Sequence, residues 1–214
     1  MQGGLRIGMV AAEPSGDLLA AHLIAALKGR RKDLAFAGIG GPRMANEGFE
    51  SHFPMEKLSV RGYAEVLRHY REIMGIRRKL ARAMLEERPD LFIGVDSGDF
   101  NLDLERRLKE GGIPAIHYVS PSIWAWRGWR IRKIARSVSH ILVMFPFEEP
   151  LYRKAGVPVT YVGHPLADVI PQNPAKEEAR AQLRLPSGKL IVALLPGSRR
   201  SEMHYMGAAF LLAA

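Results

Sequence analysis

The chain contains no cysteine. That removes disulfides, thiolate nucleophiles and Cys-ligated zinc together, and it fits a reducing compartment. Nowhere does it approach the roughly 18 consecutive apolar residues that a membrane-spanning helix requires, so membrane contact is expected to be peripheral. Residues 1–8 place Gly3, Gly4 and Arg6 ahead of a short apolar strand, without the basic segment and long apolar core of a signal peptide; cytoplasm is the expected compartment. Internal repeats and low-complexity tracts are absent. Only Gly16 lies in the turn after the first strand, which excludes a dinucleotide fingerprint there.

Acidic residues are scarce in two places. Between 61 and 82, Arg61, Arg68, Arg71, Arg77, Arg78, Lys79 and Arg82 face only Glu65 and Glu72, and between 127 and 136 there are Arg127, Arg130, Arg132, Lys133 and Arg136 with no acid. These segments together carry +10, slightly more than the formal charge of +9 for the whole chain. Regional basicity of this kind implies an anionic partner: a phospholipid surface, a phosphorylated substrate or nucleic acid.

The 214 residues, 47% of them hydrophobic, suffice for a packed core. Buried-type strands are expected at 5–11, 35–39, 91–95, 113–119, 140–144 and 160–163, separated mostly by helical periodicity. Such alternation specifies an α/β fold with a mostly parallel sheet covered on both faces. Pro165, Pro171 and Pro174 interrupt the periodicity. We therefore expect a first domain over 1–168, a linker at 169–175 and a second unit from 176 to 214. In that unit a helix is expected at 176–185, a strand at 190–195, a turn at Pro196 to Arg200 and a further helix from Ser201. The sequence stops inside this last helix with no capping signal, as expected of a shortened two-domain protein.

The strand at 91–95 leads directly into Asp96-Ser97-Gly98-Asp99-Phe100-Asn101. In open parallel sheets ligands bind outside the carboxyl ends of the strands. Asp96 is therefore the leading candidate for a catalytic base, with helix stabilisation by Asp96 and Asp99 as the competing reading. Neither acid has neighbours suited to a metal site, and no metal or cofactor is expected. Glu13 to Asp17 lies at a helix N-terminus, which suits an anion or a hydroxyl-rich ligand; equally, Ser15 and Asp17 can be ordinary capping residues.

The run His117 to Arg127 leaves a strand with Trp124 and Trp126, able to form a sugar or acyl wall or an interdomain core. Trp129 and the arginines after it suit phosphate or stacked bases. Val66, Leu67, Arg68, Tyr70, Arg71, Ile73, Met74, Arg77 and Arg78 fit an amphipathic basic helix at a bilayer interface, and core packing explains part of the same pattern. His164 lies at another strand tip, as ligand or as hinge. Gly197-Ser198-Arg199, in a tight turn after a strand, suit a diphosphate or form an ordinary connection.

Taken in order, Ala12 to Asp17, Gly41-Pro42-Arg43-Met44, Asp96 to Asn101, His117 to Trp126, Gly163-His164-Pro165 and Leu195 to Arg199 closely resemble the lipid-A-disaccharide synthases, a family of bacterial glycosyltransferases. The resemblance spans essentially the whole chain. Departures are Ala12 and Pro14, where the family reads Gly-Glu-Ala-Ser-Gly-Asp, and Gly98, where proline is common; both bear on loop stiffness. The resemblance implies the Rossmann-like N-terminal domain of a two-lobed GT-B glycosyltransferase, with the beginning of a second α/β domain that holds UDP-sugar. It implies transfer from UDP-2,3-diacylglucosamine to 2,3-diacylglucosamine 1-phosphate (lipid X), yielding the β-1,6-linked disaccharide and UDP.

Under that resemblance Asp96 is the base. Glu13, Ser15, Asp17, Asn101, Ser120, Trp124, Trp126 and His164 line the substrate site. Gly197, Ser198 and Arg199 hold the diphosphate. The basic helix docks on anionic inner-membrane lipid, and the family's tendency to form homodimers belongs to its carboxyl half. Family proteins are nearly twice as long, so the 214 residues alone are expected to turn over weakly or not at all. Two other classes stay open: a different GT-B enzyme such as a UDP-sugar epimerase, and a noncatalytic basic module for lipid or nucleic acid, although nucleic acid is not an expected partner of this family.

Overall fold

The computed structural model describes residues 4–58, 63–125, 128–197 and 200–214. Its chain order is β1 (Leu5–Ala11), α1 (Pro14–Arg30), β2 (Leu34–Ile39), α2 (Pro42–Asn46), β3 (Phe49–Ser51), α3 (Tyr63–Glu87), β4 (Leu91–Val95), α4 (Gly98–Glu110), β5 (Ala115–Tyr118), α5 (Ile131–Ser137), β6 (His140–Val143), α6 (Glu149–Lys154), β7 (Val159–Tyr161), α7 (Leu166–Val169), α8 (Lys176–Gln182) and α9 (Arg200–Ala213). The strands form one sheet in the order β3-β2-β1-β4-β5-β6-β7, and every pairing is parallel.

A parallel sheet buries both faces, and the residues sort accordingly. Ile7, Met9 and Ala11 of β1 pack with Leu19, Ala20 and Ile24 of α1. Across the sheet, Val10 and Phe92 meet Ile76, Leu80 and Met84 of α3 and Leu104 and Leu108 of α4. The spacing of Ile76, Leu80 and Met84 is one helical stripe, so the core claims part of the helix whose apolar content suggested a membrane face. A third cluster joins Leu102 of α4 to Ile134, Ile141 and Tyr152 beneath β6.

Compact units are residues 1–169 and 170–214. In the second, the strand expected at 190–195 is absent: residues 190–197 carry no regular structure. An isolated strand has no partner for its backbone N–H and C=O groups, so apolar composition alone does not make one. The helix expected to reach Leu185 ends at Gln182, and Arg184 follows with a φ of 53°. Conversely, β3 is a three-residue edge strand with no periodic signal to reveal it.

Gly38 has a φ of +145°, and a Cβ there would overlap the Met9 carbonyl oxygen on the neighbouring strand. Neither backbone can yield without breaking the β1–β2 register. We expect Gly38→Ala to destabilise the fold by about 3 kcal/mol, measured by urea denaturation of the chain.

Candidate active site

Because all seven strands run the same way, the loops that follow them emerge on one edge of the sheet. The chain winds from β1 toward β3 on one side and from β4 toward β7 on the other. The switch point therefore lies between the tips of β1 and β4, where α/β proteins open a crevice. Glu13 follows the first of these strands and Asp96 the second.

The β4 tip is strained. Asp96 and Ser97 have φ values of 54° and 45°, and Val119, at the neighbouring β5 tip, has 82°. Left-handed backbone costs a non-glycine residue about 1–3 kcal/mol, and it persists only where surrounding contacts enforce it. Here the Asp96 N–H donates to the Tyr118 carbonyl at 2.8 Å and the Val119 N–H to that of Leu142 at 3.0 Å. The Asn101 amide nitrogen faces the Asp96 carbonyl at 2.8 Å, that of Val95 at 3.3 Å and that of Val10 at 3.4 Å. Asn101 was expected at substrate; it is instead fully buried and ties the β1 and β4 tips together. The strained turn leaves Asp96 half-buried, and among the described residues no hydrogen-bond donor engages its carboxylate.

Asp17 likewise departs from expectation. It is 2% exposed, and its carboxylate accepts N–H groups from Gly41 at 2.9 Å, Arg43 at 3.0 Å and Met44 at 3.1 Å. Both oxygens are committed to the first turn of α2, a structural duty that leaves none for substrate. The N-cap of α1 is Glu13 rather than Ser15; Ser15 lies exposed inside the first turn, and no side chain caps that end. Asp99 does not cap α4 either, whose N-cap is Ser97; it pairs with Arg130.

Ser120 shares a 2.7 Å hydrogen bond with the Tyr152 hydroxyl. Burial pushes that phenol up to about 12, so Tyr152 stays protonated at neutral pH. Trp124 is half exposed and meets Phe147 edge-on, ring centres 5.4 Å apart, while Phe145 stacks on Phe147 at 5.5 Å. These two phenylalanines, after β6, extend the aromatic wall; sequence reasoning missed them because they belong to a different loop. The His164 Nδ1 accepts the Leu166 N–H at 3.2 Å, at the start of α7. Trp126, Ser198 and Arg199 lie outside the described residues. Gly197, which is described, has a φ of +137°.

Of the helix residues proposed for membrane contact, Tyr70, Arg71 and Arg78 are exposed. Ile73 instead packs on the α3–α4 core. Arg77 is bound to Asp103 at 3.0 Å, beside Met74, and Lys133 holds the other Asp103 oxygen at 2.8 Å. Burial works against that carboxylate, but the two cations outweigh it and leave it below its usual range. The side chains of Val66, Leu67 and Arg68 fall outside those described. Among the described residues no helix is long and apolar enough to cross a membrane, and no group of three or more His, Asp or Glu is placed to hold a metal.

Replacing Asp17 by alanine strands three N–H donors, two of them buried. We expect a loss of about 2–4 kcal/mol in urea denaturation, with Asp17→Asn recovering part of it.

This arrangement has named relatives. Lipid-A-disaccharide synthase of Chromobacterium violaceum is 60% identical over 210 residues, 98% of this chain and 54% of that protein. The synthase of Methylobacillus flagellatus is 58% identical over 208 residues, 97% of this chain and 55% of that protein. The chain thus spans about half the length of these relatives. Among solved structures, Arabidopsis thaliana UGT89C1 complexed with UDP aligns with a TM-score of 0.52 at 10% identity, over 86% of this chain and 55% of that one, a likeness of fold. A family model described as lipid-A-disaccharide synthetase matches residues 7–214, and the chain belongs to that family.

Proposed function

We propose that this chain forms the acceptor-side lobe of an inverting glycosyltransferase that joins UDP-2,3-diacylglucosamine to 2,3-diacylglucosamine 1-phosphate. The observation that carries the reading is the family match over residues 7–214, combined with a carboxylate at the topological switch point that no donor among the described residues engages. The Asp96 carboxylate takes the proton of the acceptor hydroxyl as its oxygen attacks the anomeric carbon. The bond from that carbon to the UDP β-phosphate oxygen breaks on the opposite face, inverting the centre and releasing UDP. Glu13, at the facing strand tip, and the Trp124–Phe147–Phe145 wall supply polar and aromatic surface for diacylated sugars. Under the family resemblance the diphosphate is assigned to Gly197, Ser198 and Arg199, and the reading calls for no metal or cofactor.

Diacylated substrates reside in a bilayer, so the enzyme must reach one. The exposed Tyr70, Arg71 and Arg78 of α3 suit an anionic lipid surface, and peripheral attachment to the cytoplasmic face of the inner membrane follows. A second reading, a noncatalytic anion-binding module, draws on the exposed Trp129 beside Arg106, Arg132, Lys133 and Arg136. Binding measurements separate the two. The chain should bind anionic vesicles, weaken as salt rises and ignore neutral vesicles; preference for DNA with no vesicle binding favours the second reading.

The decisive assay supplies the full-length protein with both diacylated sugars and follows UDP release and disaccharide. Asp96→Asn, folded as judged by circular dichroism, should lose about 10²–10⁴ in kcat. Unchanged turnover removes Asp96 from the mechanism.

A further inference from the structure

We propose that Asn101 is the positioning residue for Asp96: from inside α4 its amide holds the two left-handed residues after β4 in the conformation that carries the candidate base. The proposal rests on the glycosyl-transfer reading above and extends it to a side chain that touches no substrate.

Asn101 is 0% exposed, so its amide serves the protein interior. What surrounds it explains why an amide is needed. The carbonyl oxygens of Asp96 at 2.8 Å, Val95 at 3.3 Å and Val10 at 3.4 Å face its one nitrogen. All three are acceptors, so only a donor fits. Turning the amide over, or exchanging it for a carboxylate, would set oxygen against oxygen. The shortest of the three contacts goes to the strained residue.

Asn101 grips the turn twice. Its side chain donates to the Asp96 carbonyl, and its backbone N–H donates to the Ser97 carbonyl at 3.0 Å. Asp96 and Ser97 are the residues with φ values of 54° and 45°. Neither is glycine, and left-handed backbone at two such residues in succession persists only where contacts from outside the turn enforce it. On the other side, the Asp96 N–H donates to the Tyr118 carbonyl at 2.8 Å. Asp96 is thus fixed at its N–H from β5 and at its C=O from α4, the two groups that flank its φ and ψ.

The packing of α4 on β4 brings the amide within reach. A Cβ on Gly94 would lie 3.0 Å from the Asn101 Cβ and would overlap Glu105 Oε1. Gly94, two residues before Asp96, lets the helix approach the strand at the turn that carries Asn101. Helix capping does not account for the residue: the N-cap of α4 is Ser97, and Asn101 lies past the first three helical residues. Asparagine is an indifferent helix former at such a position, and the contacts to β1, β4 and the Asp96 turn offset that.

Measurements on the full-length protein test this. Asn101→Leu keeps the branching of the side chain and removes the donor. With both diacylated sugars, kcat should fall about 10–10²-fold while KM stays within about two-fold, since a displaced base spoils alignment without weakening binding. Leu108→Ala, in the core of the same helix and away from the turn, controls for stability: it should lower the urea midpoint and spare kcat. Equal losses of kcat in the two variants, or unchanged kcat in Asn101→Leu, overturn the proposal. Backbone NMR shifts of Asp96 and Ser97 give a readout independent of activity. In Asn101→Leu they should leave the left-handed range while β1 and β5 keep theirs, and persistence of the left-handed shifts overturns the proposal. If Asn101→Leu does not fold, wild type decides: slow hydrogen exchange of the Asn101 side-chain amide supports the clamp, and exchange at the rate of an exposed amide overturns it. Absence of UDP release by wild type counts instead against the transfer reading and leaves the NMR outcomes to judge the clamp.

Discussion

One buried amide does much to shape the switch point. Asn101 reaches from α4 to the carbonyls of Val10, Val95 and Asp96, at the carboxyl ends of β1 and β4. Losing that donor would leave the Asp96 carbonyl, which lies outside any strand, without the partner that Asn101 supplies. With it, two consecutive residues hold a left-handed backbone, and a carboxylate stands half-buried at the edge of the sheet.

The neighbouring acids show how position divides labour among identical side chains. Asp17 is sealed against the N-terminus of α2, Asp103 is clamped between Arg77 and Lys133, and Asp99 pairs with Arg130. Each neutralises a helix end or a cation of the fold. Asp96 has no such duty among the described residues, which is what a base aimed at substrate requires. The basic surface divides in the same way: Arg77 is consumed by internal pairing, while Arg71 and Arg78 remain exposed.

Much of this was legible in the chain. Continuous apolar runs bounded by turn residues located six of the seven strands, because a strand buried on both faces has no reason to alternate. Asp96 stood out because a strand, a polar turn and a helix follow one another without a gap. The aromatic wall was half visible: Trp124 announced itself, whereas Phe145 and Phe147 belong to a loop that joins it only through the order of β5 and β6. The apolar run at 190–195 promised a strand that the structure does not form, since pairing depends on a neighbour that local composition cannot supply.

By itself, then, the sequence determined the α/β class, the positions of most elements and the strand tip on which the chemistry is expected, because burial periodicity and turn residues are local properties. Tertiary structure alone decided which polar groups are held in the interior. Asp17 and Asn101 read like Asp96 in a linear pattern, and only packing against α2, β1 and β4 commits them there. Hydrogen bonds between residues 24 to 91 positions apart leave no local signature, and they separate a structural carboxylate from an available one.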